Sequence, residues 1–203
     1  MITLHKYEGK NLEILKEQCL NELNETEANV YFYQSEVEMG LFKGKKITLE
    51  SITKEEIKSY IKDFIKNLSE KLNVSINCEI RMNEQNIEVM LLSDNNNIII
   101  GKDGRTLNSI QILLRQAMKE LNKFNLRIMV DASNYKNKKI INLEKEIRKI
   151  CKEVIKTKVE VKLDPMNSYE RRLVHSIVNE FENLKSESFG ENPNRYTVIK
   201  IEK

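Results

Sequence analysis

Glycine, lysine, aspartate and glycine in succession, Gly101 to Gly104, separate three isoleucines from a strongly apolar run in NIIIGKDGRTLNSIQILL. A glycine on each side of two polar residues lets the main chain approach another surface closely, since neither end carries a β-carbon. The helix start that follows offers unpaired amides and a partial positive charge, which favour an anion. Lys102 and Arg105 add mobile cations at the same point. This chemistry suits a phosphate or a nucleic-acid backbone. Two commoner phosphate cradles are excluded by spacing, because neither G-x-x-x-x-G-K-[ST] nor G-x-G-x-x-G is present. As four letters alone, the motif is also that of an ordinary glycine turn.

A second set lies in ERRLVH, where Arg171 and His175 stand four residues apart. On a helical wheel Leu173, Ile177, Val178, Phe181 and Leu184 point one way, while Ser168, Arg171, Arg172, His175 and Asn179 point the other. Two arginines and an imidazole on one rigid face can hydrogen-bond phosphates, and the ring can stack on a base. A solvated polar face is the plain alternative. The sequence has only two histidines, His5 and His175, and shows no metal constellation, nucleophile-and-base arrangement or nucleotide loop. No enzyme activity, metal or cofactor is expected. Cys19, Cys78 and Cys151 are far apart and odd in number, so reduced thiols are expected rather than a disulfide framework.

The elements that must hold these residues are readable from periodicity. Residues 1–50 read as strand, helix, strand, strand, with Leu12, Leu15, Cys19 and Leu23 on one helical face. A unit this small needs support from a neighbour. Thr53 and Glu56 form a capping-box pair, and Ile57, Tyr60, Ile61, Phe64, Ile65, Leu68 and Leu72 then follow helical spacing. VSINCEIRM and NIEVMLL alternate as strands joined by a hairpin across NEQN. The glycine loop, a helix through Leu107, Ile110, Leu114, Ala117, Met118 and Leu121, and the strand FNLRIMV complete this part. Beyond a polar link, SNYKNKK, the pattern predicts a helix from about Ile140 to Thr157, a strand in KVEVKLDP, a helix over NSYERRLVHSIVNEFENL and a closing strand, RYTVIKI.

Charge is nearly balanced, at net +3, yet unevenly spread. Residues 1–50 carry 6 basic and 9 acidic side chains, whereas residues 134–203 carry 16 and 11. The last third is therefore the part best suited to a polyanion. No stretch approaches the roughly 20 apolar residues of a membrane span, and the N-terminus shows no secretory pattern, so a cytoplasmic protein is expected.

A G-x-x-G between two helical elements, beside a three-stranded sheet, is how a KH domain clamps about four nucleotides. Residues 51–133 resemble a KH domain of the type II order αββααβ, and IIIGKDGRTLNSIQILL is similar to the family pattern I-G-x-x-G-x-T-L-x-x-[IL]-Q-x-L. The resemblance implies that Gly101, Lys102, Asp103, Gly104 and Arg105 grip backbone, with Ile99 and Ile100 in the groove floor. In the last third, R-x-x-x-H with Ser188-x-Gly190, Pro193 and Arg195 resembles the R-three-H single-strand-binding domain. That implies contacts from Arg171, Arg172, His175, Ser188 and Arg195. The whole order resembles the Jag (SpoIIIJ-associated) family of bacterial RNA-binding proteins. It predicts an α+β chain: a βαββ unit at 1–50, a type II KH domain at 51–133 and an R-three-H domain at 134–203, with helices on a small antiparallel sheet. The family's Lys-Lys-Gly-Phe-Leu-Gly-like turn has EMGLFKGKK as its counterpart here, with Gly40-Leu41-Phe42 kept and the lysine pair displaced to Lys45-Lys46.

What this resemblance implies is single-stranded RNA, or single-stranded DNA, as the partner. A small KH-only protein is implied as a second partner and a homodimer as a further state, with no membrane insertion. Post-transcriptional regulation linked to cell elongation and division is the implied role. A protein-interaction scaffold, suggested by the acidic first third and by Gly40-Leu41-Phe42, is the alternative.

Overall fold

The structure, a computed structural model, describes residues 2–38 and 45–202. The chain divides into two compact units, residues 1–133 and 134–203. The expected Gly40-Leu41-Phe42 turn lies outside the described residues.

The first unit opens with β1 (His5–Gly9), α1 (Leu12–Leu23), β2 (Val30–Glu38) and β3 (Lys45–Thr53). These strands form an antiparallel sheet in the order β1-β3-β2. Leu15 and Cys19 of α1 are buried against Leu49 of β3, with Leu12, Leu23 and Phe32 around them. Asn11 caps α1 by accepting hydrogen bonds from the Glu13 and Ile14 amides.

No linker follows. β3 runs directly into α2 (Lys54–Leu72), and Thr53, its last residue, is also the helix cap. The Thr53 amide donates to Glu56 at 2.8 Å and the Glu56 amide donates back to Thr53 Oγ1 at 3.0 Å. The same Glu56 carboxylate meets His5 Nε2 at 2.7 Å, tying the first strand to this corner. Tyr31 donates to the Glu84 carbonyl at 2.6 Å, and Tyr33 meets Phe124 edge-on at 6.2 Å. Residues 1–50 are thus supported from the neighbouring layer, as a sheet this small requires.

After α2 come β4 (Ile76–Asn83), β5 (Asn86–Ser93), the short α3 (Asn96–Ile100), α4 (Arg105–Ala117), a 3-10 stretch at Lys119–Phe124 and β6 (Arg127–Ala132). This is the expected αββααβ order. β4 and β5 form an antiparallel hairpin, while β5 and β6 run parallel, with Ile87 opposite Ile128. A parallel pair cannot be closed by a tight turn, so α3, the glycine loop and α4 together make the crossover. Ile57, Ile61 and Ile65 of α2, Val89 and Leu91 of β5, and Leu107, Ile110 and Leu114 of α4 are all buried.

The second unit contains α5 (Tyr135–Thr157), β7 (Val161–Lys162), α6 (Ser168–Val178), β8 (Leu184–Phe189) and β9 (Tyr196–Ile201). Its antiparallel sheet has the order β7-β9-β8. The core joins Ile147, Cys151 and Val154 of α5 to Val174, Ile177 and Val178 of α6, and to Leu184 and Ile199 of the sheet. Two expectations are corrected here. The helix expected from about Ile140 starts at Tyr135, because YKNKK has ordinary helix propensity and lacks only a capping side chain. The helix expected through Leu184 stops at Val178, and a turn with Asn183 at φ 67° redirects the chain into β8. That strand escaped the periodicity because two of its three inward positions, Ser186 and Ser188 after Leu184, are polar.

Candidate nucleic-acid interface

Gly101 adopts φ 70°, ψ −178°, a region open essentially to glycine alone. A β-carbon there would collide with the Thr106 hydroxyl. Asp103 at φ 55° and Gly104 at φ 80° continue in left-handed conformations. The Gly101 amide donates to the Asn97 carbonyl at 2.9 Å, and the Gly104 amide to the Gly101 carbonyl at 3.3 Å. The loop is therefore a defined turn whose last residue, Gly104, begins α4 with no side-chain cap. The Arg105 amide donates back to the Lys102 carbonyl, and the Lys102 and Arg105 side chains are both exposed. Asp103 adds one carboxylate against those two cations.

The three isoleucines do not act as a set. Ile99 is completely buried, Ile98 is exposed and Ile100 is half-buried. Each residue step along α3 rotates the side chain by about 100°, so only some can face a groove. Ile99 anchors the loop from beneath, and the expectation that it forms groove floor gives way to a core role. Ile100 keeps partial access.

Two residues that sequence reasoning left out fix α4 to the sheet edge. Gln111 Oε1 accepts from the Val130 amide at 3.0 Å, and Arg115 donates to the Ile128 carbonyl from Nε at 3.0 Å and Nη2 at 2.8 Å. Strand β6 is an edge strand, whose outward main-chain groups need partners. The available signal was a polar pair, spaced i and i+4, beside the buried stripe of α4.

The R-x-x-x-H helix is organised differently from a free polar face. Asn167 caps α6, and Glu170 completes a capping box by accepting from the Asn167 amide at 2.9 Å. Lys139 of α5 pairs with the same carboxylate at 2.7 Å. Arg171, expected at the surface, is only 8% exposed, and its Nη1 donates to the Met166 carbonyl at 2.8 Å. Its guanidinium is itself buried and takes this carbonyl because a charged group left unpaired there would be costly.

His175 is half-buried, with Nδ1 2.6 Å from Ser186 Oγ and Nε2 2.9 Å from Ser188 Oγ. Ser188 continues to Thr197 Oγ1 at 3.2 Å. Burial first, then the charge of Arg171, holds the imidazole pKa below its ordinary value. A neutral ring has one donor and one acceptor, and two serine hydroxyls satisfy both. His175 and Ser188 are thus engaged in holding α6 to the sheet. Of the expected residues in this unit, Arg172 and Arg195 are the exposed ones.

No helix among the described residues is long and apolar enough to cross a membrane. Comparison with known proteins agrees with the two-module geometry. Residues 58–130 match the family profile described as the KhpA/KhpB KH domain, and residues 138–200 match that of the R-three-H domain. Three proteins named RNA-binding protein KhpB are similar to half or more of this chain. That of Clostridium symbiosum is 33% identical over 125 residues, covering 62% of this chain and 56% of that protein. The Bacillus subtilis (strain 168) protein is 36% identical over 104 residues, 50% of each chain. The Lactiplantibacillus plantarum protein is 32% identical over 106 residues, 52% of this chain and 33% of its own length. The matched region spans about half the length of the first two.

Proposed function

Since residues 58–130 are a KH domain of the KhpA/KhpB family and residues 138–200 an R-three-H domain, we propose that this protein binds single-stranded RNA through both modules. The loop at Gly101–Gly104 carries the reading. It combines a glycine-only backbone, an uncapped helix start and two exposed cations at one point. Backbone amides, Lys102 and Arg105 grip phosphates, while Ile100 gives a base an apolar contact. In the second module Arg172 and Arg195 supply further phosphate contacts. Two linked weak sites gain affinity through effective concentration. By resemblance the role is post-transcriptional control tied to cell elongation and division in the cytoplasm, with a small KH-only protein as partner.

The test reverses one charge. In Lys102→Asp, titrated with single-stranded RNA at several salt concentrations, affinity falls at low salt. The slope of log K against log salt becomes shallower by about 0.7, the value for one single-strand phosphate contact. Unchanged affinity and slope would remove the loop from the interface and leave the scaffold reading in its place.

A further inference from the structure

The sheet of the second unit has a face turned away from α6. Strand alternation puts Ser186, Ser188 and Thr197 on the side of α6, where they meet His175. Phe189 and Tyr196, paired directly across β8 and β9, therefore stand on the opposite side. Their ring centroids are 6.1 Å apart with planes tilted by 33°, and Phe189 is 43% exposed. Lys162 of β7 places Nζ 4.1 Å from the centre of the Tyr196 ring. Lys185 and Lys200, paired with each other four residues along the strands from Phe189 and Tyr196, lie on the same face, at 3.4 Å and 2.8 Å from Glu187. The face thus presents three lysines against one glutamate.

An exposed phenylalanine has no polar atom to satisfy in water, and a solvated face gains nothing from keeping one. A cross-strand aromatic pair does stabilise a sheet modestly, but a leucine pair would bury similar area without an open ring. Aromatic rings flanked by lysines fit a single-stranded nucleic acid, whose bases stack on rings while its phosphates meet cations. We propose that the outer face of this sheet is a base-stacking platform for single-stranded RNA. Phe189 and Tyr196 supply the aromatic surface, and Lys162 holds the adjoining phosphate. The site rests on the RNA-binding reading above and deepens it. It lies across the sheet from the R-x-x-x-H helix, so it adds a second RNA-contacting face to the one that carries Arg172.

The sequence contains no tryptophan, so Tyr196→Trp in the full chain places its one indole, excited selectively over the tyrosines, at the platform. Titration with a uridine oligonucleotide of about ten residues quenches the indole, and the midpoint coincides with that from anisotropy of a labelled strand. Adding Phe189→Leu, which keeps an apolar cross-strand contact, weakens binding roughly tenfold while the thermal midpoint stays within a few degrees. Binding by anisotropy with unaltered emission would overturn the platform and leave RNA binding intact. Unaltered affinity in Phe189→Leu would do the same, and would return the pair to sheet stabilisation or to a protein partner. Failure of the unmodified chain to bind any single strand would refute the RNA reading itself.

Discussion

Arg171→Met separates framework from contact in the second module. Methionine retains most of the aliphatic stem, so packing around this 8% exposed side chain is largely preserved. What disappears is the hydrogen bond from Nη1 to the Met166 carbonyl, 2.8 Å long. That carbonyl belongs to the segment leading into α6, and the Met166 amide donates to the Arg195 carbonyl at 3.1 Å. The guanidinium therefore pins the entry to α6 near the start of β9. A hydrogen bond from a charged donor contributes about 1.5–3 kcal/mol, and removing a buried charge recovers part of its desolvation cost. The expected net loss is about 2 kcal/mol. For a unit the size of residues 134–203, that lowers the midpoint by about 8–16 °C. Circular dichroism melts measure it. A second readout is the His175 titration followed by NMR. Burial continues to depress this pKa, but the Arg171 contribution vanishes, so the pKa rises toward 6.5. RNA affinity measured well below the melt changes by less than about twofold. A variant that melts like the parent yet binds RNA tenfold more weakly would refute the reasoning and make Arg171 a direct phosphate contact.

Two further outcomes follow from the same geometry. His175 has a folded pKa below the ordinary 6.5, so its contribution to stability is complete above pH 6.5 and is lost as pH falls further, because the unfolded chain takes up the proton first. Urea unfolding from pH 7 to 5 detects this loss, and His175→Gln flattens it; parallel curves for the two proteins would assign it elsewhere. The acidic groups with lowered values, Glu8, Glu22 and Glu56 in the first unit and Glu180 and Glu187 in the second, start from 4.5 and act only below that window. Gly101→Ala meets both a forbidden backbone and the Thr106 hydroxyl, costing about 1–3 kcal/mol. Gly104→Ala, in the milder left-handed region, costs less, and equal losses in melts would contradict the reading of this turn.

Much of the fold was legible because burial and periodicity coincide in it. The stripe Ile57, Ile61, Ile65 and the alternation through Ile87, Val89 and Leu91 each declare an element and its inward face. Legibility failed where polar residues occupy inward positions. β8 turns Ser186 and Ser188 toward α6, and a hydrophobicity pattern cannot register a strand whose buried side is a hydrogen-bond network. The same network explains the misplaced face of α6. A wheel assigns arginine to solvent by type, whereas Arg171 is drawn inward by a carbonyl contributed by the preceding loop. Ile99 shows the converse failure, since three identical residues in a row give no indication of which one a short helix turns inward.

The sequence by itself determined the order of elements from α2 to β6, the place of the glycine loop and the capping of α2. These depend on neighbours within a few residues, where backbone sterics and local hydrogen bonds dominate. Only the tertiary structure decided which cations face solvent. It buried Arg171, engaged half-buried His175 and Ser188 with each other between α6 and the sheet, left Lys102, Arg172 and Arg195 outside, and set Phe189 against Tyr196 on an open sheet face. Those outcomes depend on strand register and on how the loop ahead of α6 folds back to offer the Met166 carbonyl to Arg171. A polar atom takes the partner that folding brings within reach, and chain-local pattern does not encode that partner.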